Sequence, residues 1–208
     1  MSIRLADEAS ARDLANYLAR AKRVDDAGDV RLQAVGDVLA AWTCVLPGQG
    51  IGKSGLVLGL RTFALAEPVV SDLTVPIAAV TDRLAHSGSE IPDPPMTTQP
   101  TWGALSPPRS GWEPVGVVAD AHLRQAALEG IAEVAHGAPE GSGSAAVADL
   151  RARIWGRPTR TTPLVPAGAA FGLHVLGFLR PHEGAAATVH AAGPWTRVAT
   201  DAGFVITR

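Results

Sequence analysis

The sequence has one cysteine in 208 residues, few aromatic side chains and almost no excess of charge. A single cysteine excludes an internal disulfide bond, and Cys44 lies in an apolar run that is typical of a buried thiol. The net charge of −2 at neutral pH gives no bulk attraction for nucleic acid or anionic lipid. These shortages exclude a disulfide-stapled secreted domain and a strongly basic nucleic-acid-binding protein.

Long apolar runs are also missing. No segment reaches the length of a membrane-spanning helix, and the first residues, with Asp7 and Glu8, lack the apolar core of a signal peptide. Apolar residues make up 47% of the chain and charged residues 18%, which is the balance of a globular protein. We therefore expect a cytoplasmic protein with one large domain or two small ones.

The segment Pro47–Ser54 comes close to a phosphate-binding P-loop, because Gly52, Lys53 and Ser54 fit that motif. The first glycine of the motif is replaced by Pro47, which has no N–H to offer a phosphate. A P-loop also opens a helix, whereas residues 56–66 have the composition of a strand. The segment is predicted to be a glycine-rich hairpin turn that binds no nucleotide, and no cofactor is expected.

Hydrophobic periodicity predicts two helices and two strands in the first half of the chain. The helices cover residues 7–24 and 74–86, and the strands cover about 30–46 and 55–66. Ser10 and Asp13 resemble a capping box at the start of the first helix, and Pro76 suits the first turn of the second. The first strand is predicted to be buried on both faces, with a bulge at Gly36.

Residues 87–114 break this pattern, with seven prolines between Pro92 and Pro114. The segment is too long for an ordinary connection, and its tryptophans favour a packed arm over a solvated linker. The alternative is a rigid recognition surface, because tryptophan and arginine dominate the hot spots of protein interfaces. The residues of this candidate interaction surface are Trp102, Arg109, Trp112 and Glu113.

The second half is predicted to hold three helices, a glycine-rich loop at 137–144 and a strand-rich end. The helices lie at about 119–136, 145–155 and 167–179, and the strands at 188–191, 195–199 and 204–207. This order matches a winged helix-turn-helix unit. The predicted fold is α+β: an N-terminal helix on a β-hairpin, a Pro/Trp-rich arm, and a winged-helix-like three-helix unit with a C-terminal β-hairpin. The corresponding domains are 1–86, 87–118 and 119–208.

A basic patch surrounds Trp155 in this second half. Its members are Arg151, Arg153, Arg157 and Arg160. The predicted third helix offers few donors for base edges, and residues 120–208 carry eight arginines against seven acidic residues. The patch therefore predicts at most weak, low-salt binding to nucleic acid.

One stripe of the predicted helix at 119–136 carries histidine and glutamate. The stripe contains His122, Glu129, Glu133 and His136. The spacing of Glu133 and His136 is that of di-iron helix bundles, but such a centre needs a second copy of the motif, which the sequence lacks. The simpler interpretation is the solvated side of an amphipathic helix with no metal.

Four short segments carry a resemblance to a known group of proteins. They are Leu58–Thr62 (LGLRT), Pro107–Trp112 (PPRSGW), Leu176–Leu179 (LGFL) and Pro194–Arg197 (PWTR). With these landmarks the chain resembles a group of uncharacterised actinobacterial proteins, and the resemblance implies no catalytic residue. We therefore expect a non-catalytic cytoplasmic binding or scaffold protein with a protein partner. The alternatives are a DNA-binding regulator that uses the C-terminal half and, in third place, a metal- or nucleotide-dependent enzyme.

Overall fold

The computed structural model describes residues 2–92, 96–138 and 143–208, and it shows an α+β fold, as the sequence predicts. The helices are α1 (Glu8–Val24), α2 (Ile77–Ser87), α3 (Asp120–Gly137), α4 (Ser144–Gly156) and α5 (Ala167–Val175). The strands are β1 (Ile3–Arg4), β2 (Asp29–Gln49), β3 (Ser54–Pro76), β4 (Glu90–Ile91), β5 (Glu113–Ala119), β6 (Ala186–Ala192), β7 (Trp195–Thr200) and β8 (Gly203–Thr207). Among the described residues, no helix is long and apolar enough to cross a membrane.

Six of the strands form one sheet in the order β2-β3-β8-β7-β6-β5, and β1 pairs with β4 in a small second sheet. The three terminal strands lie within two residues of their predicted bounds. They do not form the wing of a winged helix, because β5 pairs with β6 on one side and β3 adjoins β8 on the other. The winged-helix part of the prediction is therefore wrong. Strand β5 lies in a segment for which the sequence predicts no strand.

The chain divides into two compact units. The first contains Met1–Val45 and Gly59–Ala104, and the second contains Leu46–Leu58 and Leu105–Arg208. The last boundary between the two units along the chain lies inside the Pro/Trp-rich segment, between Ala104 and Leu105. The predicted loop at 137–144 lies partly outside the described residues, since 139–142 are not described.

In the first unit, α1 begins one residue later than predicted and packs on β2. Its N-cap is Asp7, whose carboxylate accepts a hydrogen bond of 2.7 Å from the backbone N–H of Ser10. The predicted pairing of Ser10 with Asp13 is therefore replaced by a cap three residues earlier. Tyr17 is fully buried, its hydroxyl lies 2.8 Å from Oγ1 of Thr43 on β2, and burial raises its pKa.

Strand β2 changes its buried face at Gly36, which adopts a positive φ of 64°. Before Gly36 the even-numbered residues Val30 to Ala34 are buried, and after it the odd-numbered residues Leu39 to Val45 are buried. A change of parity requires one extra residue in the strand, which is the effect of a β-bulge. The predicted irregularity at Gly36 agrees with this pattern. The prediction that both faces are buried is wrong.

The glycine-rich segment forms the turn between β2, which ends at Gln49, and β3, which begins at Ser54. Lys53 has a positive φ of 51°, and its N–H donates to the Gly50 carbonyl at 3.2 Å. A Cβ at Gly48 would lie 2.7 Å from the Lys53 carbonyl oxygen, so this turn needs glycine there. A strand and not a helix follows, as predicted for a hairpin.

Strand β3 continues to Pro76, ten residues beyond its predicted end. As a result α2 starts at Ile77, and Pro76 occupies the N-cap position instead of the first turn. At the other end of α2, Nδ1 of His86 lies 2.7 Å from the Asp82 carbonyl oxygen, which suits a histidine in the last turn of a helix.

In the second unit α3, α4 and α5 pack against one another, and α5 packs on the sheet. Helix α5 ends at Val175, four residues before its predicted end, and Gly177 follows with a positive φ of 74°. Added Cβ atoms at Gly168 and Gly172 would each lie 3.0 Å from the side chain of Val57 on β3. The two glycines therefore let α5 approach the sheet closely.

Candidate recognition site

Strands β6, β7 and β8 give the second unit a sheet with two different faces, because side chains alternate along a strand. Val189 of β6 is paired with Val198 of β7, and Val198 is paired with Val205 of β8, so the three side chains lie on the same side of the sheet. All three valines are at most 1% exposed, and Val205 approaches Gly172 of α5, so we call this the helix face.

The opposite side, which we call the open face, carries His190 of β6 opposite Arg197 of β7. Phe204 of β8 lies on the same face, opposite Ala199. His190, Arg197 and Phe204 all remain partly exposed. Strands β6, β7 and β8 contain no aspartate or glutamate. The open face therefore presents cationic and aromatic groups without acids of its own strands to neutralise them.

Arg197 is the centre of this face. Its guanidinium carbon lies 4.8 Å from the ring centroid of Trp112 and 5.9 Å from that of Phe204. The Trp112 ring is fixed in turn, because its indole N–H donates a hydrogen bond of 2.9 Å to the Pro108 carbonyl. Cation–π contacts of this kind hold a planar guanidinium while leaving its N–H edge free to donate.

Two polar atoms of the site are buried without a hydrogen-bond partner among the described residues. They are Nε of Arg197 and Nδ1 of His190. Burial lowers the pKa of both groups, and the neighbouring charge of Arg197 lowers the pKa of His190 further. Buried polar atoms are normally paired in folded proteins. These two nitrogens are closed to an outside ligand, so an acceptor from another molecule would meet the partly exposed remainder of the two side chains.

A second arginine–aromatic contact lies on the same face. The guanidinium carbon of Arg208 is 5.7 Å from the ring centroid of Trp195, which is 7% exposed. Trp195 pairs with Ala192, two residues from His190, so it belongs to the open face. Tryptophan and arginine are the residue types most enriched in the hot spots of protein interfaces.

The structure separates the four residues of the candidate interaction surface predicted from the sequence. Trp102 is buried in the first unit, whereas the other three belong to the second unit. Trp112 is half-buried against Arg197, and Arg109 is exposed. Glu113 pairs with Ala191, one position away from His190, and so lies on the other face of the sheet. Of the four, only Trp112 is in direct contact with the open-face cluster.

The predicted basic patch is weaker than its sequence indicates. Arg157 forms an ion pair with Glu133 of α3, which neutralises its charge. Trp155 is buried and stacks on Phe171 with ring centroids 4.3 Å apart, so it offers no surface for a base. Arg151 is half-buried, and Arg160 is exposed. The remaining member, Arg153, lines a shallow groove of about 600 Å³ with Gln49, Ala146, Asp149 and Ala152.

The histidine–glutamate stripe of α3 is not assembled as a metal site. Glu133 is engaged by Arg157, and Glu129 accepts a hydrogen bond of 2.9 Å from Gln125. His122 and His136 are exposed. Throughout residues 2–92, 96–138 and 143–208, no three histidine, cysteine or acidic side chains are grouped as metal ligands. The carboxylates of the stripe thus serve surface contacts of the helix.

Sequence reasoning missed three polar residues that the structure makes prominent. Asp120 is 2% exposed, and its Oδ2 accepts a hydrogen bond of 2.7 Å from the Arg180 backbone N–H. His190 and Arg197 form the open-face pair. The available signal was a single histidine and a single arginine in two otherwise uncharged strands, which is unusual for residues that pack in a sheet.

Comparison with protein families gives two matches that together cover nearly the whole chain. Residues 1–104 match the family described as Domain of unknown function (DUF8010), and residues 107–208 match the one described as Domain of unknown function (DUF8185). The gap between the two matches coincides with the division between Ala104 and Leu105. No curated protein sequence matches the chain.

Solved structures with a similar fold include several bacterial sliding clamps. The DnaN sliding clamp of Bartonella birtlesii, bound to griselimycin, is 11% identical with a TM-score of 0.56. The pol III beta protein of Caulobacter crescentus is 10% identical with a TM-score of 0.57, and the H. pylori beta clamp with 5-chloroisatin is 9% identical with a TM-score of 0.54. Each match covers all of this chain but only 63–65% of the clamp, which is less than two thirds of its length. At such low identity the likeness establishes a sliding-clamp-like fold.

Proposed function

We propose that this protein is a non-catalytic scaffold that binds a protein partner. The chain belongs to the DUF8010 family of domains of unknown function. The observation that carries the proposal is the open face of the second unit. One side of this sheet is used for packing by α5, while the other presents Arg197 between Trp112 and Phe204. A partly exposed surface of aromatic rings and arginine is typical of a protein-binding site.

The fold supports this proposal. The similar solved structures are clamps of DNA polymerase, and two of them are complexes with griselimycin and 5-chloroisatin. A fold alone does not determine function, so the partner of those proteins is not carried over to this chain. The cytoplasmic location and the kinship with actinobacterial proteins that the sequence predicts belong to the same proposal.

A second candidate function is contact with nucleic acid, which the fold of the polymerase clamps and the exposed Arg153 and Arg160 favour. The charge of the helices opposes it. Together α1 to α5 carry eight lysine and arginine residues against seven aspartate and glutamate residues. Specific or tight contact with phosphates needs a much more basic surface. We therefore expect nucleic-acid binding to be weak and confined to low salt.

The test compares two charge-removing variants in affinity capture from the native lysate, followed by binding of the captured protein in purified form. Arg197→Gln alters the open face, and Arg153→Gln alters an exposed arginine of α4 as the matched control. We expect a partner that binds the wild type and the control but is lost with Arg197→Gln. Loss with Arg153→Gln alone would place the partner at α4. Tight binding to duplex DNA at physiological salt would replace the scaffold proposal.

A further inference from the structure

We infer that Arg197 and His190 form a recognition site for the carboxylate of an acidic, extended peptide segment in the protein partner. The inference rests on the proposed function, because it names the chemistry of the partner at the open face. It requires only residues of the second unit, and it does not involve the residues predicted from the sequence apart from Trp112.

The first argument is that two hydrogen-bond donors lie directly opposite each other on the adjacent strands β6 and β7. His190 and Arg197 are direct neighbours in the antiparallel register, so their Cβ atoms are about 5 Å apart. Nε of Arg197 and Nδ1 of His190 are buried and have no partner among the described residues. A carboxylate from another molecule cannot reach those two atoms, but both side chains are partly exposed, so it can accept from the terminal N–H groups of Arg197 and from Nε2 of His190.

The second argument concerns which anion fits. A guanidinium is planar, which matches the planar geometry of a carboxylate, and the contacts with two rings restrict its orientation. A phosphate carries about two negative charges and is usually met by several cations. Here Arg208 is engaged by Trp195, and the directly opposed pair at the centre of the site consists of Arg197 and the imidazole of His190. A singly charged carboxylate is the closer match.

The third argument extends the site along the sheet. Val117 is 58% exposed and lies opposite Thr188, two residues from His190 on the same face of β6. Two residues along a strand span about 7 Å, which is also the spacing of alternate side chains in an extended peptide. A glutamate held between His190 and Arg197 would therefore place the apolar side chain two positions away over Thr188 of β6, with Val117 on the adjacent strand β5.

The experiment is an NMR titration of the full chain, labelled with ¹⁵N and ¹³C, with the peptide acetyl-Leu-Ser-Glu-Ser-Leu-amide. A leucine on each side of the glutamate removes any dependence on peptide direction. We expect saturable shifts at the Arg197 Nε–H and the His190 ring, with the pKa of His190 rising on binding, because a nearby anion favours the imidazolium. The same peptide with glutamine in place of glutamate should bind at least tenfold more weakly.

Three variants separate recognition from folding. Arg197→Gln should weaken the glutamate peptide at least tenfold, while Arg197→Lys, which keeps the charge but not the planar fork, should weaken it less. Arg153→Gln, which removes an exposed arginine of α4 outside the open face, should leave affinity within twofold of the wild type. Unchanged methyl resonances of the buried Val198 and Val205 will show that each variant is folded.

Several results would overturn the inference. Equal binding of the glutamate and glutamine peptides, no binding of either, or unchanged affinity in Arg197→Gln would each do so. Tighter binding of the phosphoserine analogue by more than tenfold would reassign the site to a phosphate. If the peptide does not bind but a captured partner still depends on Arg197, the scaffold proposal stands and the carboxylate inference fails. If no partner depends on Arg197, the scaffold proposal fails as well.

Discussion

The two faces of the C-terminal sheet are built from the same strands and have opposite properties. On the helix face Val189, Val198 and Val205 are buried under closely packed helices. On the open face His190 and Arg197 occupy the alternate positions, partly exposed and incompletely paired. Because one register fixes both sets, each strand separates the residues that stabilise the fold from those available for recognition.

The largest expected effect is in the helices on the helix-face side, where α4 packs on α5. Trp155→Ala removes a buried indole that stacks on Phe171, and deletion of a large buried aromatic side chain costs about 3–5 kcal/mol. We expect this loss in the free energy of unfolding, measured by denaturant titration, without a change in the open-face contacts. A loss below about 1 kcal/mol would show that the helix layer is not the stabilising side of the comparison.

The next effect tests how tightly the helices pack. A Cβ added at Gly130 would lie 2.3 Å from Cζ3 of Trp155, whereas one added at Gly156 meets no atom within 4 Å. Gly130→Ala should therefore destabilise the protein by about 1–3 kcal/mol through overpacking. Gly156→Ala is the matched control, and it should be neutral or slightly stabilising because alanine favours helix. Equal thermal shifts for the two variants would contradict close packing of α3 on α4.

The third prediction moves to the open face. The sequence favoured Trp112 as fully packed, for which a loss of about 3–5 kcal/mol would be expected. The structure shows it half-buried, with a cation–π contact to Arg197 worth about 0.5–1 kcal/mol. Trp112→Ala should cost less than half as much stability as Trp155→Ala, and it should weaken partner binding. A larger loss of stability than that of Trp155→Ala would remove the distinction between the two faces.

The smallest expected effect is the pH dependence that His190 contributes. Its pKa is lowered from the usual 6.5 in the folded protein, by burial and then by Arg197. The unfolded chain therefore binds the proton more readily, and the stabilisation present above about pH 6.5 is lost as the pH falls through the folded pKa. The unfolding free energy should decline less in His190→Gln than in the wild type between about pH 7.5 and about pH 5. Parallel profiles would contradict the desolvation of His190.

The helices and most strands could be predicted because their signals are local. The periodicity of Leu14, Tyr17 and Leu18 places α1, and the glycines at 48–55 place the β2–β3 turn. Sheet order could not be predicted in this way. The pairing of β5 with β6 and the position of β3 beside β8 join segments far apart in sequence, and no local pattern records that. A winged helix was the wrong choice for this reason.

The candidate site was harder to predict than the fold. Arg157 and Glu133 are 24 residues apart, so their ion pair, which weakens both the basic patch and the metal stripe, has no local signature. Trp112, which directly precedes β5, reaches Arg197 only because β5 pairs with β6 and β6 pairs with β7. The residue types of the recognition surface could be anticipated, but their partners depend on strand register.

The second unit takes its residues from two separated stretches of the chain, and this affects the order in which the protein can fold. The hairpin stretch Leu46–Leu58 is synthesised early, but Gly55 and Leu56 form backbone hydrogen bonds with Arg208, which directly follows β8. The buried side chains of this stretch must wait until β8 has been made, and such delays slow folding and invite aggregation. A cut or insertion in this hairpin would therefore disable the half of the chain that is synthesised last.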